Sequence, residues 1–471
     1  MLNQLFSRFF SDPDREKGDA FFSDLRRKEF SILDEQGQTY LDFTGGNLYP
    51  KSLVLKHQEL LLSNVLGNPH STNPTSQKAT GLVEAARKRV LDFFRAGEDY
   101  TCIFTQNASG AMKIVGESYP FGNESRLVML ADNHNSVNGI REFCRKKGGH
   151  VQYVPVNFED LQINDALLEK QLNENSGGQN SLFAFPGQSN VSGVKHSLKW
   201  IARAQELGYD VFLDAAALVP STRLDLSVWK PDFVSVSFYK IFGYPTGIGC
   251  LLVKNSVFNK LQKPWFAGGT VTLVSVASQD RFLAGGHERF EDGTLNYNNI
   301  PAVKIGLDFI DDIGMERITA RVKSLILYLA DGLKNLKHTN GQPLVKIFGP
   351  EDFSSRGGNI ILNFFDPEGE KHGFEEIEAM ANREKISIRS GCFCNPGIDE
   401  INNCLTTEEI SRYFTSRDRG NYHDMIRYLG KIRGATRVSV GIASSESDLD
   451  RFIRFASGLL NKKARQLAAA A

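Results

Sequence analysis

The stretch SFYKIFGYPTGIG, Ser237 to Gly249, sets one lysine, Lys240, among aromatic and aliphatic residues and crowds glycines behind it. A lone lysine of this kind usually lays its stem along apolar surface and carries its head to water. An amine surrounded by apolar groups instead holds its proton less tightly and can form a Schiff base. The neighbours favour the second reading. Ser237 offers a hydroxyl just before Lys240, and Gly243, Gly247 and Gly249 are expected to let the backbone pass close to a ligand.

On either side of that stretch, residues from about 80 to 255 alternate short β-like runs with helical ones. Leu82 to Ala96 carries apolar residues at helical spacing, and Cys102-Ile103-Phe104 reads as a short strand before a helix beginning near Ser109. The runs RLVMLAD, HVQYVPV, SLFAFP, YDVFLD and FVSVSF follow, with helical segments between most of them. Strands alternating with helices predict βαβ units and an α/β fold with a mainly parallel sheet. Ligands in such sheets bind outside the carboxyl ends of the strands. FTQNASG, ADNH, PGQSN, Asp214 and Lys240 each follow a strand, so these ends are expected to converge on one crevice.

From about residue 300 the texture changes. A long helical stretch, Ala302 to Leu336, breaks near Gly314, and strand candidates follow at Val345–Ile347 and Asn359–Phe364. A helix over 373–383, the loop SGCFCNPG, a polar insertion over 399–424, the strand TRVSVG and a closing helix complete the chain. The expected division is a large domain over 45–300 and a smaller α+β domain made of 1–44 and 301–471. The strand-like run EFSILDEQGQTYLDF is expected to pack with the smaller domain.

Composition narrows the function classes. The chain has 471 residues, enough for an ample core, and its 55 Lys+Arg balance 55 Asp+Glu. Zero net charge removes any bulk electrostatic case for nucleic acid or an anionic membrane as the main partner. No apolar run approaches the ~18 residues of a membrane span, and the N-terminus has no signal-like apolar core. Six cysteines in so long a chain are no disulfide framework, which makes a reducing cytosol the expected compartment. Cys392 and Cys394 lack a second close pair, and the spacing to Cys404 is no zinc pattern, so no metal site is expected.

Two further segments bear on the lysine. Asp214 ends the apolar strand FLDAAA. It caps a following helix or pairs with a pyridinium nitrogen, keeping that ring an electron acceptor. FTQNASGAMK runs strand, Asn107-Ala108-Ser109-Gly110, helix, and so offers backbone N–H groups and a hydroxyl where phosphate binds well.

Taken in order, FTQNASG, ADNHNSV, SNVSG, FLDAA, SFYKIFGYPTGIG, FEDGTLNY, IRSGCFCNPG and TRVSVG resemble class V, fold type I enzymes that use pyridoxal 5'-phosphate (PLP). Within the class the chain is most similar to cysteine desulfurases. SFYKIFGYPTGIG and SGCFCNPG come nearest to the NifS-like domain of eukaryotic molybdenum cofactor sulfurases. The similarity runs from about Tyr40 to the end of the chain. It implies Lys240 as the Schiff-base lysine, Asp214 at the pyridine nitrogen, His134 on the ring face, and Ala108, Ser109 and Ser237 at the phosphate. It implies Asn190 near ring and substrate, and Arg437, with Arg389 close by, at the substrate carboxylate. Thr294 would reach the phosphate of a neighbouring subunit, since the class forms homodimers. Cys394 matches the desulfurase nucleophile and is preferred to Cys392, on a loop whose glycines and Pro396 predict exposure and mobility. Two positions depart from typical desulfurases: Ala217 replaces a glutamine and Tyr239 a histidine, both in the manner of the molybdenum cofactor branch. Few residues follow the NifS-like part in this sequence, so a further C-terminal domain like that of those sulfurases, and with it transfer of sulfur to molybdenum cofactor, is not expected.

The activity expected from this resemblance is desulfuration of L-cysteine to alanine, with a persulfide on Cys394 that passes to a thiol or an acceptor protein. The alternatives are another class V reaction (C–S β-lyase, selenocysteine lyase, aminotransferase or epimerase) or a non-catalytic scaffold that keeps the fold.

Overall fold

A computed structural model describes residues 13–174, 179–431 and 433–464. Residues 1–12, part of the stretch read for a signal, and the alanine tail lie outside them. Its centre is a seven-stranded sheet in the order Tyr100–Thr105, Gly249–Lys254, Phe233–Ser237, Tyr209–Asp214, Ser181–Pro186, Arg126–Leu130, His150–Val154. From Phe233–Ser237 to His150–Val154 every pairing is parallel. The strands Ser181–Pro186, Tyr209–Asp214 and Phe233–Ser237 are buried along their whole length, as strands covered on both faces must be.

The strand Gly249–Lys254 lies outside the sequence expectation and runs antiparallel to both its neighbours. Its direction follows from its short connection, since a parallel return needs a crossover of about a dozen residues or more. Ser237 pairs with Gly249, so the stretch carrying Lys240 is the link between adjacent strands. A single helical turn, Tyr239–Phe242, fills that link and ends on Gly243 at φ 80°.

The glycines of this link correct the expectation attached to them. A Cβ on Gly243 would sit 2.4 Å from the backbone of Leu48 and Tyr49, and one on Gly249 would sit 2.7 Å from Asn107. These two positions let chain pass close to chain. Gly247, with open space around it, serves a turn at φ 76°.

A second sheet, Val345–Phe348, Asn359–Phe364, Ala435–Ser439 and Arg389–Gly391 in that order, is antiparallel throughout. The helices Pro301–Ile313 and Met315–Lys334 meet at Gly314, φ 89°, the predicted break. The polar insertion forms two capped helices, Thr407–Thr415 and Tyr422–Leu429. The run EFSILDEQGQTYLDF, expected as a strand, is mostly not one. A helix occupies Pro13–Glu29 and another Ile32–Glu35, leaving only Thr39–Tyr40 extended. Phe30, Leu33, Leu41 and Phe43 of this run are buried while Ile32 is exposed, so burial follows no single alternating face. Thr39–Tyr40 pairs with Ile386–Ser387 in a two-stranded sheet of their own, and Asp42 bridges to Ser439 of the second sheet. Among the described residues no helix is long and apolar enough to cross a membrane.

Candidate active site

The strand Tyr100–Thr105 delivers the chain to Asn107, whose side chain accepts a hydrogen bond from Gly110 N at 3.0 Å and starts the helix Ala108–Ser118. The first amides of that helix have no intrahelical acceptor, and the helix dipole adds partial positive charge there. Ala108 N donates to Ser237 Oγ at 2.9 Å, and Ser109 Oγ lies 2.6 Å from Ser136 Oγ. The helix start, the end of the strand Phe233–Ser237 and the segment after Arg126–Leu130 thus bring three hydroxyls and a row of N–H groups together. Ser136 was not singled out in the sequence; its hydroxyl became visible only when two distant strand ends met.

Lys240 follows directly. It lines the same cavity, about 150 Å³ in volume, as Asn107, Ala108, Ser109, His134, Asn190, Asp214 and Ser237. No hydrogen bond or ion pair among the described residues engages its amine. Burial pushes the Lys240 amine below the usual lysine range. The Asp214 carboxylate opposes this shift, and the Arg437 and Arg389 guanidinium groups reinforce it. Asp214 is buried, and one of its oxygens accepts from Ala216 N at 3.0 Å and Ser235 Oγ at 3.1 Å. No helix follows Asp214, so it caps a turn and keeps its other oxygen out of these contacts.

His134 Nδ1 accepts from Ser136 N at 3.1 Å, capping the short helix Asn135–Asn138. In the neutral ring this leaves the proton on Nε2. Burial holds the imidazole below its usual pKa, helped by the Lys240 and Arg437 charges and opposed by Asp214. Ala217 and Tyr239, the two departures from the desulfurase pattern, both line the cavity, as does Gln188, whose buried Oε1 has no partner.

The cysteine loop adjoins this cavity. Cys394 is exposed and Cys392 half-buried, and burial pushes the Cys392 thiol up. The loop was expected to be exposed and mobile. Its thiol is exposed, but its backbone is tied at several points. Asn135 N donates to Cys394 O at 2.7 Å, and Asn190 Nδ2 donates to Phe393 O at 2.9 Å. Fully buried Asn395 donates from Nδ2 to Asp132 Oδ1 at 2.7 Å and to Asn190 Oδ1 at 3.1 Å. Asp132 also accepts from Ser189 Oγ at 2.8 Å and bonds His196 Nε2 at 3.0 Å. Phe393 and Cys394 take φ of 56° and 54°, a left-handed pair that turns the thiol outward. Sequence reasoning singled out none of Asp132, His196 and Asn395: Asp132 and Asn395 lie inside the quoted segments ADNHNSV and IRSGCFCNPG, but their meeting is visible only in space.

Arg437 is buried behind the cavity, on the strand Ala435–Ser439, with Arg389 as its cross-strand partner. Its Nη1 donates to Asn190 O at 2.8 Å, its Nη2 to Asp42 Oδ1 at 2.6 Å, and its Nε has no partner. Arg389, half-exposed, donates from Nε to Asp42 Oδ2 at 3.1 Å. Thr294 is exposed and does not line this cavity. The structure therefore gathers Ala108, Ser109, His134, Asn190, Asp214, Ser237 and Lys240 around one space, sets Cys394, Arg437 and Arg389 beside it, and leaves Thr294 apart.

Comparison with known proteins agrees with this geometry. The family described as aminotransferase class-V matches residues 39–452, and the chain belongs to it. It is 36% identical over 462 residues to a molybdenum cofactor sulfurase of Bos taurus, covering 93% of this chain and 52% of that protein. A molybdenum cofactor sulfurase of Arabidopsis thaliana is 33% identical, over 96% of this chain and 59% of that one. The chain thus spans little more than half the length of these relatives. In fold it is similar to the apo structure of a cysteine desulfurase from Thermococcus onnurineus NA1, with a TM-score of 0.77 at 24% identity over 93% of this chain and 98% of that one. The cysteine desulfurase CsdA of Escherichia coli gives a TM-score of 0.73 at 20% identity, over 93% and 99%.

The cofactor is pyridoxal 5'-phosphate, and the cavity fits it on its own chemistry. A helix start with hydroxyls suits the phosphate, an amine without a partner suits the aldehyde, and a buried carboxylate lining the same cavity suits the pyridine nitrogen.

Proposed function

We propose that the protein is a cysteine desulfurase, taking sulfur from L-cysteine, releasing alanine and carrying the sulfur as a persulfide on Cys394. One observation carries the reading: an exposed cysteine sits on a loop whose backbone is fixed to the rim of the Lys240 cavity through Asn135, Asn190 and Asn395.

The cofactor, when bound, supplies an acceptor for the electron pair left at the substrate Cα. Lys240 Nζ, neutral more readily than an ordinary lysine, takes the Cα proton and returns it on the other side of the reaction. Asp214 keeps negative charge at the ring nitrogen. His134, held below its usual pKa by burial, would lie against the ring without competing with Asp214 as a charge. Ala108, Ser109 and Ser237 would hold the phosphate, Arg437 would orient the substrate carboxylate with Asn190, and Arg389 would add charge from the rim. The Cys394 sulfur bonds the substrate sulfur as the carbon–sulfur bond breaks, so cysteine and a thiol become alanine and a persulfide. Cys392 is the poorer nucleophile because burial disfavours its thiolate.

A homodimer belongs to this reading. Thr294 faces solvent beside the strand pair Val271–Val274 and Arg281–Leu283, where Leu273, Val276 and Phe282 are all exposed. Gly293 N donates to Gly268 O at 2.9 Å, joining the two segments. An apolar patch next to Thr294 suits a second copy whose phosphate Thr294 would reach. The reading also includes a large unit over 45–300, a smaller one over 1–44 and 301–471, a protein or thiol as sulfur acceptor, and a cytosolic setting, which the free state of all six cysteines supports.

The test is incubation of wild type and Cys394→Ala with L-cysteine, scoring alanine, pyruvate and sulfide separately. Alanine formation lost in Cys394→Ala, with the lysine-bound cofactor's visible absorption intact, is the expected result. Sulfide with pyruvate at undiminished rate would replace desulfuration by C–S β-elimination.

A further inference from the structure

The Asp42 carboxylate is shared between two arginines. One oxygen takes Arg437 Nη2 at 2.6 Å, the other takes Arg389 Nε at 3.1 Å. All three residues are placed by backbone pairing. Arg437 and Arg389 face each other across antiparallel strands, and Asp42 forms a bridge with Ser439, two residues beyond Arg437. Asp42 is thus built into the sheet edge rather than hung from a free loop.

Charge is the point of the arrangement. Two guanidinium groups alone would present two positive charges at the carboxylate end of the cavity, a fit for a substrate with two acidic groups. With Asp42 between them, one net positive charge remains. Glu378, on the helix Phe374–Arg383 behind Arg389, offsets less, because burial raises its carboxyl above the usual range. Arg437 Nε is buried without a partner, so the guanidinium keeps a donor for an incoming carboxylate while Asp42 and Asn190 O hold the rest of the fork. A second acidic group entering here would meet the Asp42 carboxylate, and like charges at close range in a partly dry site cost affinity.

We infer that Asp42 is a specificity-determining residue, which sets the carboxylate end of the cavity to accept amino acids with one carboxylate and to reject those with an acidic side chain. The inference rests on the proposed role of Arg437 at the substrate carboxylate.

The experiment titrates the cofactor-loaded protein with L-alanine and L-aspartate, following binding by calorimetry and by the cofactor's visible absorption. Wild type should favour alanine. Asp42→Asn should shift the aspartate-to-alanine affinity ratio toward aspartate by roughly 10-fold or more, less at high salt. Arg437→Leu should weaken both ligands alike. An unchanged ratio in Asp42→Asn, with both ligands weakened in Arg437→Leu, overturns the inference and leaves the site reading standing. Alanine binding untouched in Arg437→Leu overturns the carboxylate role itself and the inference with it. Should Asp42→Asn fail to fold, Arg389→Gln serves. It removes the remaining net charge, so alanine binding should weaken and aspartate binding vanish; unchanged alanine binding there overturns the inference.

Discussion

Lys240 and Cys394 are the two reactive side chains of the site, and the fold treats them in opposite ways. Lys240 lies on one helical turn between adjacent strands, half-buried against the cavity wall and unpaired. Cys394 lies on a left-handed turn with its thiol in the open and its backbone tied from three directions. The difference matches the work each must do. An amine that captures an aldehyde gains from losing water, because burial disfavours its charged form. A thiol that must hand sulfur to another molecule gains from access, and its position is then kept by everything except the side chain itself. In one case the environment of the reactive atom is controlled; in the other, only the place from which it reaches.

That contrast breaks most completely at the lysine. Lys240→Ala should abolish the lysine-bound cofactor's absorption and reduce turnover by about 10⁴-fold or more, the upper range for a lost positioned base. Cofactor-dependent turnover surviving at the wild-type rate would remove the chemical role of the buried amine.

A smaller effect should follow from loosening the other residue's scaffold. Asn395→Ala removes the hydrogen bonds to Asp132 and Asn190. Sulfur transfer should fall by roughly 10–100-fold, since displacement near 1 Å costs about that much, with cofactor absorption unchanged. Single-turnover alanine release measures it, and an unaltered rate would mean that the anchors do not position Cys394.

The finest test is titration. The neutral Lys240 amine captures the aldehyde, so capture by cofactor-free protein should rise with pH and level off at lower pH than for an exposed lysine, because burial lowers the Lys240 pKa. The Arg437 cation contributes to that lowering. Arg437→Leu removes it, raises the Lys240 pKa and should move the rise toward higher pH. Stopped-flow absorption gives both profiles, and a shift toward lower pH would contradict the electrostatics of the cavity.

Much of the fold was readable because its cues are local. The buried runs YDVFLD and FVSVSF have no polar face, Gly208 and Gly314 stop helices, and Asn107 starts one. The strand Gly249–Lys254 was missed because glycines at its start resembled a ligand loop, whereas Gly249 is there to fit Asn107. The run EFSILDEQGQTYLDF was misread because a short helix, Ile32–Glu35, splits it and leaves Ile32 exposed while Phe30, Leu33, Leu41 and Phe43 are buried.

Lys240 and Asp214 stood out from residue type and local setting, whereas His134, Arg437 and Cys394 were pointed to by the family resemblance of their segments. The alternation that puts strand ends together was legible in the chain as well. Only the tertiary structure decided that Asp42 stands between Arg437 and Arg389, and that Asp132, His196 and Asn395 hold the cysteine loop. These pairs are separated by as many as 395 residues. A carboxylate's partner at such range depends on how sheets and loops close in space, and neither hydrophobic period nor motif spacing encodes that closure.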